Sequence, residues 1–151
     1  MQTLHALGQP APAAYRELQI HADGSQALGA LWRHLDAAQQ SIDLCTFILG
    51  RDAVGRQVID KLCAKARVGV RVRLLLDDNN TSGMDGLLAA LDEHPSVELR
   101  LFNPFMQRKL RVAGYLSDFS RLNRRMHNKA LIADGVVCVV GGRNIGDEYF
   151  D

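Results

Sequence analysis

The feature that most constrains the fold of this chain is a regular alternation of strand-like and helix-like segments between residues 15 and 102. Short apolar, β-branched runs predict strands, and apolar residues at helical spacing predict helices. Such alternation is typical of an α/β domain whose sheet is at least partly parallel. The predicted strands are residues 15–20, 41–49, 70–78 and 97–102, and the predicted helices are residues 26–40, 52–69 and 84–94.

Length and composition place this alternation in a single domain. The 151 residues are 47% hydrophobic and 23% charged, which is typical of a globular chain large enough to bury a core. No apolar run is long enough to span a bilayer. Residues 1–14, with Gly8, Pro10 and Pro12, are predicted to be a linker or a disordered N-terminus, so the predicted domain covers residues 15–151.

A basic band interrupts the nearly neutral charge of the chain. Between Gln107 and Lys129 there are seven basic residues and one acid, a net charge of +6, so the remainder carries −5 of the total of +1. A local excess of this kind favours an anionic partner, preferably one that bears phosphate. The basic residues are Arg108, Lys109, Arg111, Arg121, Arg124, Arg125 and Lys129.

Residues 126–142 predict a β-hairpin that carries polar residues near one end. Two apolar runs flank Asp134 and Gly135, a dipeptide that favours a two-residue turn between antiparallel strands. In that register His127 lies opposite Gly142, whose missing side chain leaves room beside the imidazole. Asp134 lies roughly 23 Å along the strand from His127, at about 3.3 Å per residue, so we assign it to the turn and not to the chemistry.

The predicted hairpin gathers an imidazole, an ammonium and a carboxamide. Side chains alternate along a strand, so His127 and Lys129 share a face. Lys129 lies opposite Val140 in the predicted register, and Asn144 is diagonal to His127. A lysine beside a histidine disfavours a metal ion, which an ammonium repels, and favours a phosphodiester. We therefore predict neither a metal site nor a cofactor.

The motif in this hairpin resembles the signature of the phospholipase D superfamily. That signature has His-x-Lys, four residues, Asp, six residues and Gly-Gly-x-Asn, and the flanking stretches "LNRRMHNK" and "GGRNIGDEYF" resemble the bacterial cardiolipin synthase branch. The resemblance implies a layered α/β/α phospholipase D-like domain with a mixed sheet over residues 15–151. The motif segment is residues 121–148, and its signature positions are His127, Lys129, Asp134, Gly141, Gly142 and Asn144.

The resemblance implies a metal-independent, two-step reaction through a phosphohistidine. His127 would be the nucleophile or the acid, and Lys129 and Asn144 would hold the non-bridging oxygens. Glu148, or alternatively Asp147, would hold an imidazole in the required tautomer. Two basic residues just before the motif, Arg124 and Arg125, would bind phosphate or lipid head groups.

The resemblance also implies a missing partner, because the family site needs two motifs and this chain has one. We expect the chain to be the first half of a longer two-motif enzyme. The alternative is a complete single-motif protein that pairs two copies of His127 in a homodimer. The expected substrate is a glycerophospholipid, met at the membrane by a peripheral protein in the bacterial cytoplasm or on the cytoplasmic face of the inner membrane.

Three other functions fit the same residues. A phospholipase D-type hydrolase would use the same site with water as the acceptor. A homodimeric, metal-independent nuclease would use the basic band to contact the nucleic-acid backbone. The isolated chain could also be an inactive half-domain that binds phosphate or docks with another chain.

Overall fold

The structure is a computed structural model that describes residues 17–105 and 122–151. Within these residues the chain forms three α-helices and a five-stranded sheet. The helices are α1 (Gly24–Ala37), α2 (Ala53–Arg67) and α3 (Asp85–Asp92). The strands are β1 (Ser41–Thr46), β2 (Arg71–Asp77), β3 (Val97–Phe102), β4 (Ala130–Ala133) and β5 (Val137–Val140), and short 3₁₀ helices form at Asp78–Asn80 and Asp147–Tyr149.

The sheet is mixed, as predicted. Its strand order is β3-β2-β1-β4-β5. Strands β1, β2 and β3 are parallel to one another, and the β4–β5 hairpin adds to β1 in the antiparallel direction. The amino end of β4 therefore lies at the same edge of the sheet as the carboxyl ends of β1 and β2.

The hydrophobic core lies between one face of this sheet and the three helices. On β1, Ile42 and Leu44 are buried and pair with Val72 and Leu74 of β2. These residues form a single cluster with the buried residues of all three helices. Each fully buried aliphatic side chain stabilises the fold by about 1.5–3 kcal/mol. A helical layer on the other face of the sheet, as in the predicted α/β/α arrangement, is not among the described residues.

Aspartate side chains set the starts of two helices. The Asp23 carboxylate accepts a hydrogen bond from the Gln26 N–H at 3.0 Å, and the Asp52 carboxylate accepts one from the Gly55 N–H at 3.0 Å. Both residues therefore act as N-caps, and the predicted start of α2 at Asp52 is confirmed. None of the helices in the described ranges is long and apolar enough to cross a membrane.

The predicted strand at residues 15–20 is wrong for the part that the structure describes. Residues 17–20 form no strand, and Leu18 and Ile20 are each 84% exposed. Among the described residues, the alternating apolar residues of this segment have no sheet against which to pack. The predicted linker at residues 1–14 lies outside the described residues.

The hairpin forms with a shorter ladder and a different register from the prediction. Asp134 and Gly135 both have positive φ, +54° and +69°, which is the geometry of the predicted tight turn. Val136 is an additional residue on the return strand, so Ala133 pairs with Val137 and Ala130 pairs with Val140. The predicted pairing of Lys129 with Val140 is therefore wrong.

The shortened ladder also changes the pairing at the polar end of the hairpin. His127 and Lys129 precede β4, and Gly141 and Gly142 follow β5. Gly141 donates its N–H to the Lys129 carbonyl at 3.4 Å, and the predicted His127–Gly142 pair is not part of the ladder.

Asp134 fixes the turn of this hairpin to the connection between α1 and β1. Its carboxylate accepts hydrogen bonds from the backbone N–H groups of Gln39, Gln40 and Ser41, at distances between 2.7 and 3.1 Å. These bonds, that from Ser41 most of all, lower the pKa of Asp134. Its side chain thus acts at the turn, as the sequence predicts.

Replacing Asp134 by asparagine should destabilise the chain at neutral pH, because one carboxylate oxygen that accepts N–H groups becomes a donor. The lowered pKa means that the carboxylate stabilises the fold fully above its unfolded pKa of about 3.9 and loses this contribution as the pH falls through its lower folded pKa. Thermal unfolding across this range should show the variant and wild type converging in acid. Asp60→Asn, on an exposed position of α2, is the control. Equal stability at neutral pH would contradict this role.

Candidate active site

The candidate site lies at the edge of the sheet where β1 and β2 end and the chain enters β4. Phe47 follows β1 directly, Asp77 is the last residue of β2, and Lys129 directly precedes β4. The parallel direction of β1 and β2 and the opposite direction of β4 bring these positions to one edge. The polar end of the hairpin therefore lies beside the carboxyl ends of two central strands.

Lys129 is buried there, with 9% of its surface exposed. Its Nζ donates to the His127 backbone carbonyl at 2.8 Å and lies 5.5 Å from the centre of the Phe47 ring. Lys129 takes part in none of the ion pairs among the described residues. Burying an ammonium without a counter-charge is unfavourable, and a bound anion would reduce this cost.

His127 contacts the same aromatic ring as Lys129. Its imidazole is exposed, and the ring centres of His127 and Phe47 are 5.0 Å apart with their planes inclined at 51°. The prediction that His127 and Lys129 share a face is therefore confirmed. The different register of the hairpin does not affect this prediction, because the alternation of side chains depends on an extended backbone and not on which residues face it in the partner strand.

Asn144 is bound to the loop that carries Phe47. It is 5% exposed, and its Oδ1 accepts a hydrogen bond from the Ile48 N–H at 3.2 Å. Next to it, Ile145 donates its N–H to the Ile48 carbonyl at 3.1 Å. The imidazole and the ammonium thus contact the Phe47 ring, and the carboxamide contacts the backbone of the next residue, Ile48.

The two motif glycines have open space around them. A Cβ added to Gly141 or Gly142 would meet no heavy atom within 4 Å, and neither residue has a positive φ. The fold of this chain therefore does not itself require glycine at either position. The prediction that Gly142 leaves room beside the His127 imidazole stays a prediction.

The two acids predicted to orient an imidazole have different surroundings. Asp147 accepts hydrogen bonds from the backbone N–H groups of Ala53 and Val54 at 3.3 and 2.8 Å, and its own N–H donates to Asp52 at 2.9 Å. Asp147 is thus already bound at the start of α2, which disfavours it as the orienting acid. Glu148 is exposed, and its role toward an imidazole stays a prediction.

The contacts of Arg125 differ from the expectation that its side chain binds a phosphate or a head group. Its Nη1 donates to the fully buried Asp77 carboxylate at 3.0 Å, its Nε donates to the Leu122 carbonyl at 2.6 Å, and its guanidinium lies 5.1 Å from the centre of the Phe105 ring. Asp77 also accepts the Met126 N–H at 2.9 Å. Arg125 and Asp77 therefore hold the segment that leads into His127.

The rest of the basic band is described only in part. Arg124 is exposed, and its backbone carbonyl accepts a hydrogen bond from the Asn103 side chain at 2.8 Å. Binding of phosphate or a head group by Arg124 stays a prediction. The remaining basic residues before the motif lie outside the described residues: Arg108, Lys109, Arg111 and Arg121.

Two residues of this site were not predicted from the sequence. Phe47 is an aromatic residue directly after a buried strand, and Asp77 is an acid at the end of another. Side chains at the carboxyl ends of neighbouring parallel strands meet at one sheet edge, where ligands often bind in α/β proteins. That positional signal was present in the sequence beside the more specific hairpin motif.

A family comparison agrees with this geometry. Residues 31–151 match the model of the cardiolipin synthase, PLD-like domain family. The chain belongs to this phospholipase D-like family. The matched part of the phospholipase D-like domain includes the whole described sheet and the hairpin with its motif.

Three curated relatives of this phospholipase D-like domain come from bacteria. Cardiolipin synthase C of Escherichia coli strain K12 is 56% identical over 124 residues, which are 82% of this chain and 26% of the relative. A Helicobacter pylori protein described as uncharacterized is 39% identical over 131 residues, 85% of this chain and 26% of that protein. A cardiolipin synthase of Alkalihalophilus pseudofirmus is 32% identical over 145 residues, 96% of this chain and 27% of the relative. The chain thus spans about a quarter of the length of these relatives.

Solved structures share the fold at low sequence identity. NucT from Helicobacter pylori has a TM-score of 0.59 and 16% identity, with 85% of this chain and 72% of NucT covered. TrmBL2, an archaeal chromatin protein whose structure shows a novel mode of DNA binding, has a TM-score of 0.54 and 15% identity, with 88% of this chain and 44% of that protein covered. At these identities the likeness concerns the fold alone.

Replacing Arg125 by methionine should destabilise the domain by about 3–5 kcal/mol, because it leaves the Asp77 carboxylate buried without its cation. Urea denaturation measures this loss. Arg124→Met is the matched control, since it removes the same charge from the exposed neighbouring side chain. If the two variants lost the same stability, the inward role of Arg125 would be refuted.

Replacing Gly142 by alanine should leave the melting temperature unchanged, because the added methyl group meets open space. Gly55→Ala is the contrasting variant, since its Cβ would collide with the Gly50 carbonyl and should lower the melting temperature. Differential scanning calorimetry measures both. A Gly142 variant as unstable as the Gly55 variant would show that the chain itself needs this glycine.

Proposed function

We propose that this chain supplies one half of a phosphatidyltransferase site of the cardiolipin synthase type. The observation that carries the proposal is the buried Lys129 ammonium, whose partners among the described residues are a carbonyl and an aromatic ring and not a carboxylate. A phosphodiester would provide the missing negative charge. Membership in the cardiolipin synthase, PLD-like domain family supports a glycerophospholipid as the source of that phosphodiester.

The proposed reaction has two steps. In the first, one histidine attacks the phosphorus of the phosphodiester, a phosphorus–nitrogen bond forms, and the phosphorus–oxygen bond to the first alcohol breaks. A second histidine gives its proton to that leaving alcohol. In the second step the same second histidine takes a proton from an acceptor alcohol, whose oxygen attacks phosphorus and releases the first histidine. His127 would be one of these two histidines.

Lys129 and Asn144 would act on the phosphate oxygens. Negative charge builds up on the non-bridging oxygens as the fifth bond to phosphorus forms, and donors that are already in place stabilise it. The Lys129 ammonium has used one of its three hydrogens on the His127 carbonyl. Asn144 uses its Oδ1 to accept from Ile48, so its Nδ2 hydrogens remain for a ligand.

A second half would provide the other histidine. That half would be either a later segment of a longer chain or the mate in a homodimer. The span of about a quarter of each curated relative is compatible with the first arrangement. We further propose that the assembled enzyme works as a peripheral protein on the cytoplasmic face of the bacterial inner membrane.

The activity test uses phosphatidylglycerol vesicles in EDTA. A transferase converts the lipid into cardiolipin and glycerol, whereas a hydrolase gives phosphatidic acid, and an oligonucleotide incubated in parallel reports nuclease activity. His127→Ala should abolish any of these activities, and Lys129→Met should lower the rate by about 10²–10³-fold. Both should leave the circular dichroism spectrum unchanged.

Light scattering on the same samples reports whether the chain pairs with itself. Cardiolipin formation by a homodimer would support the complete version of the proposal. An inactive monomer would rule out the homodimer and leave the version in which a later segment supplies the second histidine. Cardiolipin formation that persists in His127→Ala would overturn the proposal.

A further inference from the structure

Phe47 is the one described residue whose ring contacts both the imidazole and the ammonium of the motif. The His127 ring centre lies 5.0 Å from the Phe47 ring centre, and the Lys129 Nζ lies 5.5 Å from it. Neither the composition of the motif nor its spacing points to this residue, which directly follows β1 and lies 80 positions before His127 in the chain.

The backbone around Phe47 is fixed from three directions. The Asn80 side chain donates to the Phe47 carbonyl at 3.2 Å. The Ile48 N–H donates to Asn144 at 3.2 Å, and the Ile48 carbonyl accepts a bond from the Thr46 hydroxyl at 2.8 Å. The ring is thus attached to a backbone that the ends of β1, β2 and the motif hold together.

An aromatic ring can hold an ammonium without neutralising it. The face of the ring carries partial negative charge and attracts the cation, which offsets part of the cost of burying Lys129. A carboxylate at this position would hold the lysine more strongly, but it would compete with the phosphate for the ammonium. Because Phe47 is an aromatic residue and not an acid, the full charge of Lys129 is left for an anionic ligand.

We propose that Phe47 is a positioning residue, which fixes the Lys129 ammonium beside the His127 imidazole while leaving its charge for the substrate. This inference rests on the proposed function for the identity of the substrate, and on the geometry of the three residues for the positioning itself. It predicts that the position of the Lys129 ammonium depends on the electron density of the Phe47 ring and not only on the size of the ring.

The test varies that electron density at constant shape. Pentafluorophenylalanine at position 47 keeps the ring and removes its negative face, and Phe47→Tyr keeps both. Phe47→Leu removes the ring, and Phe102→Leu is the matched control on the partly exposed end of β3. Inorganic phosphate, titrated against the folded 151-residue chain and followed by NMR, reports anion affinity.

We expect the affinity for phosphate to fall by about fivefold in the pentafluoro and leucine variants and to stay unchanged in Phe47→Tyr and Phe102→Leu. The ¹⁵N signal of the Lys129 ammonium, sharp when the group is held, should broaden in the same two variants. If Phe47→Leu does not fold, the pentafluoro variant, which fills the same volume, decides alone.

The two readouts separate this inference from the proposed function. Absence of phosphate binding in the wild type would count against the proposed function, whereas the ammonium signal would still judge the role of Phe47. A pentafluoro variant whose ammonium signal stays as sharp as that of the wild type would overturn the positioning role. A signal that broadens equally in Phe102→Leu would overturn it as well.

Discussion

The antiparallel pairing of β4 with β1 is the interaction on which the candidate site depends. It carries the start of the hairpin to the sheet edge where two parallel strands end, so that Lys129 and His127 reach Phe47. Asp134 holds the far end of the same hairpin by accepting hydrogen bonds from three backbone N–H groups at the start of β1. The motif aspartate and the motif lysine thus act at opposite ends of one hairpin.

The contacts of Lys129 differ from those of the charged side chains near it. Asp77 and Asp147 each accept backbone N–H groups, and Asp77 also binds Arg125. Lys129 is the exception among these buried or half-buried charges, because its partners are a carbonyl and a ring. Lys129 is thus a buried cation without a carboxylate partner among the described residues, and it lies in the family motif.

Much of the fold was predictable because its signals are local. Hydrophobic periodicity and the capping aspartates depend on neighbours within one element, and they predicted the start of α2 and the strands of the parallel part. The register of the hairpin was not predictable in the same way. One additional residue, Val136, displaces every facing pair, and the two-residue turn signal at Asp134 and Gly135 carries no information about an insertion after the turn.

Spacing along single segments was enough to predict the three helices, the three parallel strands, the family motif and the shared face of His127 and Lys129. The surroundings of that motif depended instead on how the strands and helices pack together. In the packed structure Arg125 donates to Asp77, and Asp147 accepts a backbone hydrogen bond at the start of α2. The same packing places Phe47 beside His127. The physical reason is that a buried polar side chain needs a hydrogen-bond or charge partner, and this partner comes from elements far away in the sequence.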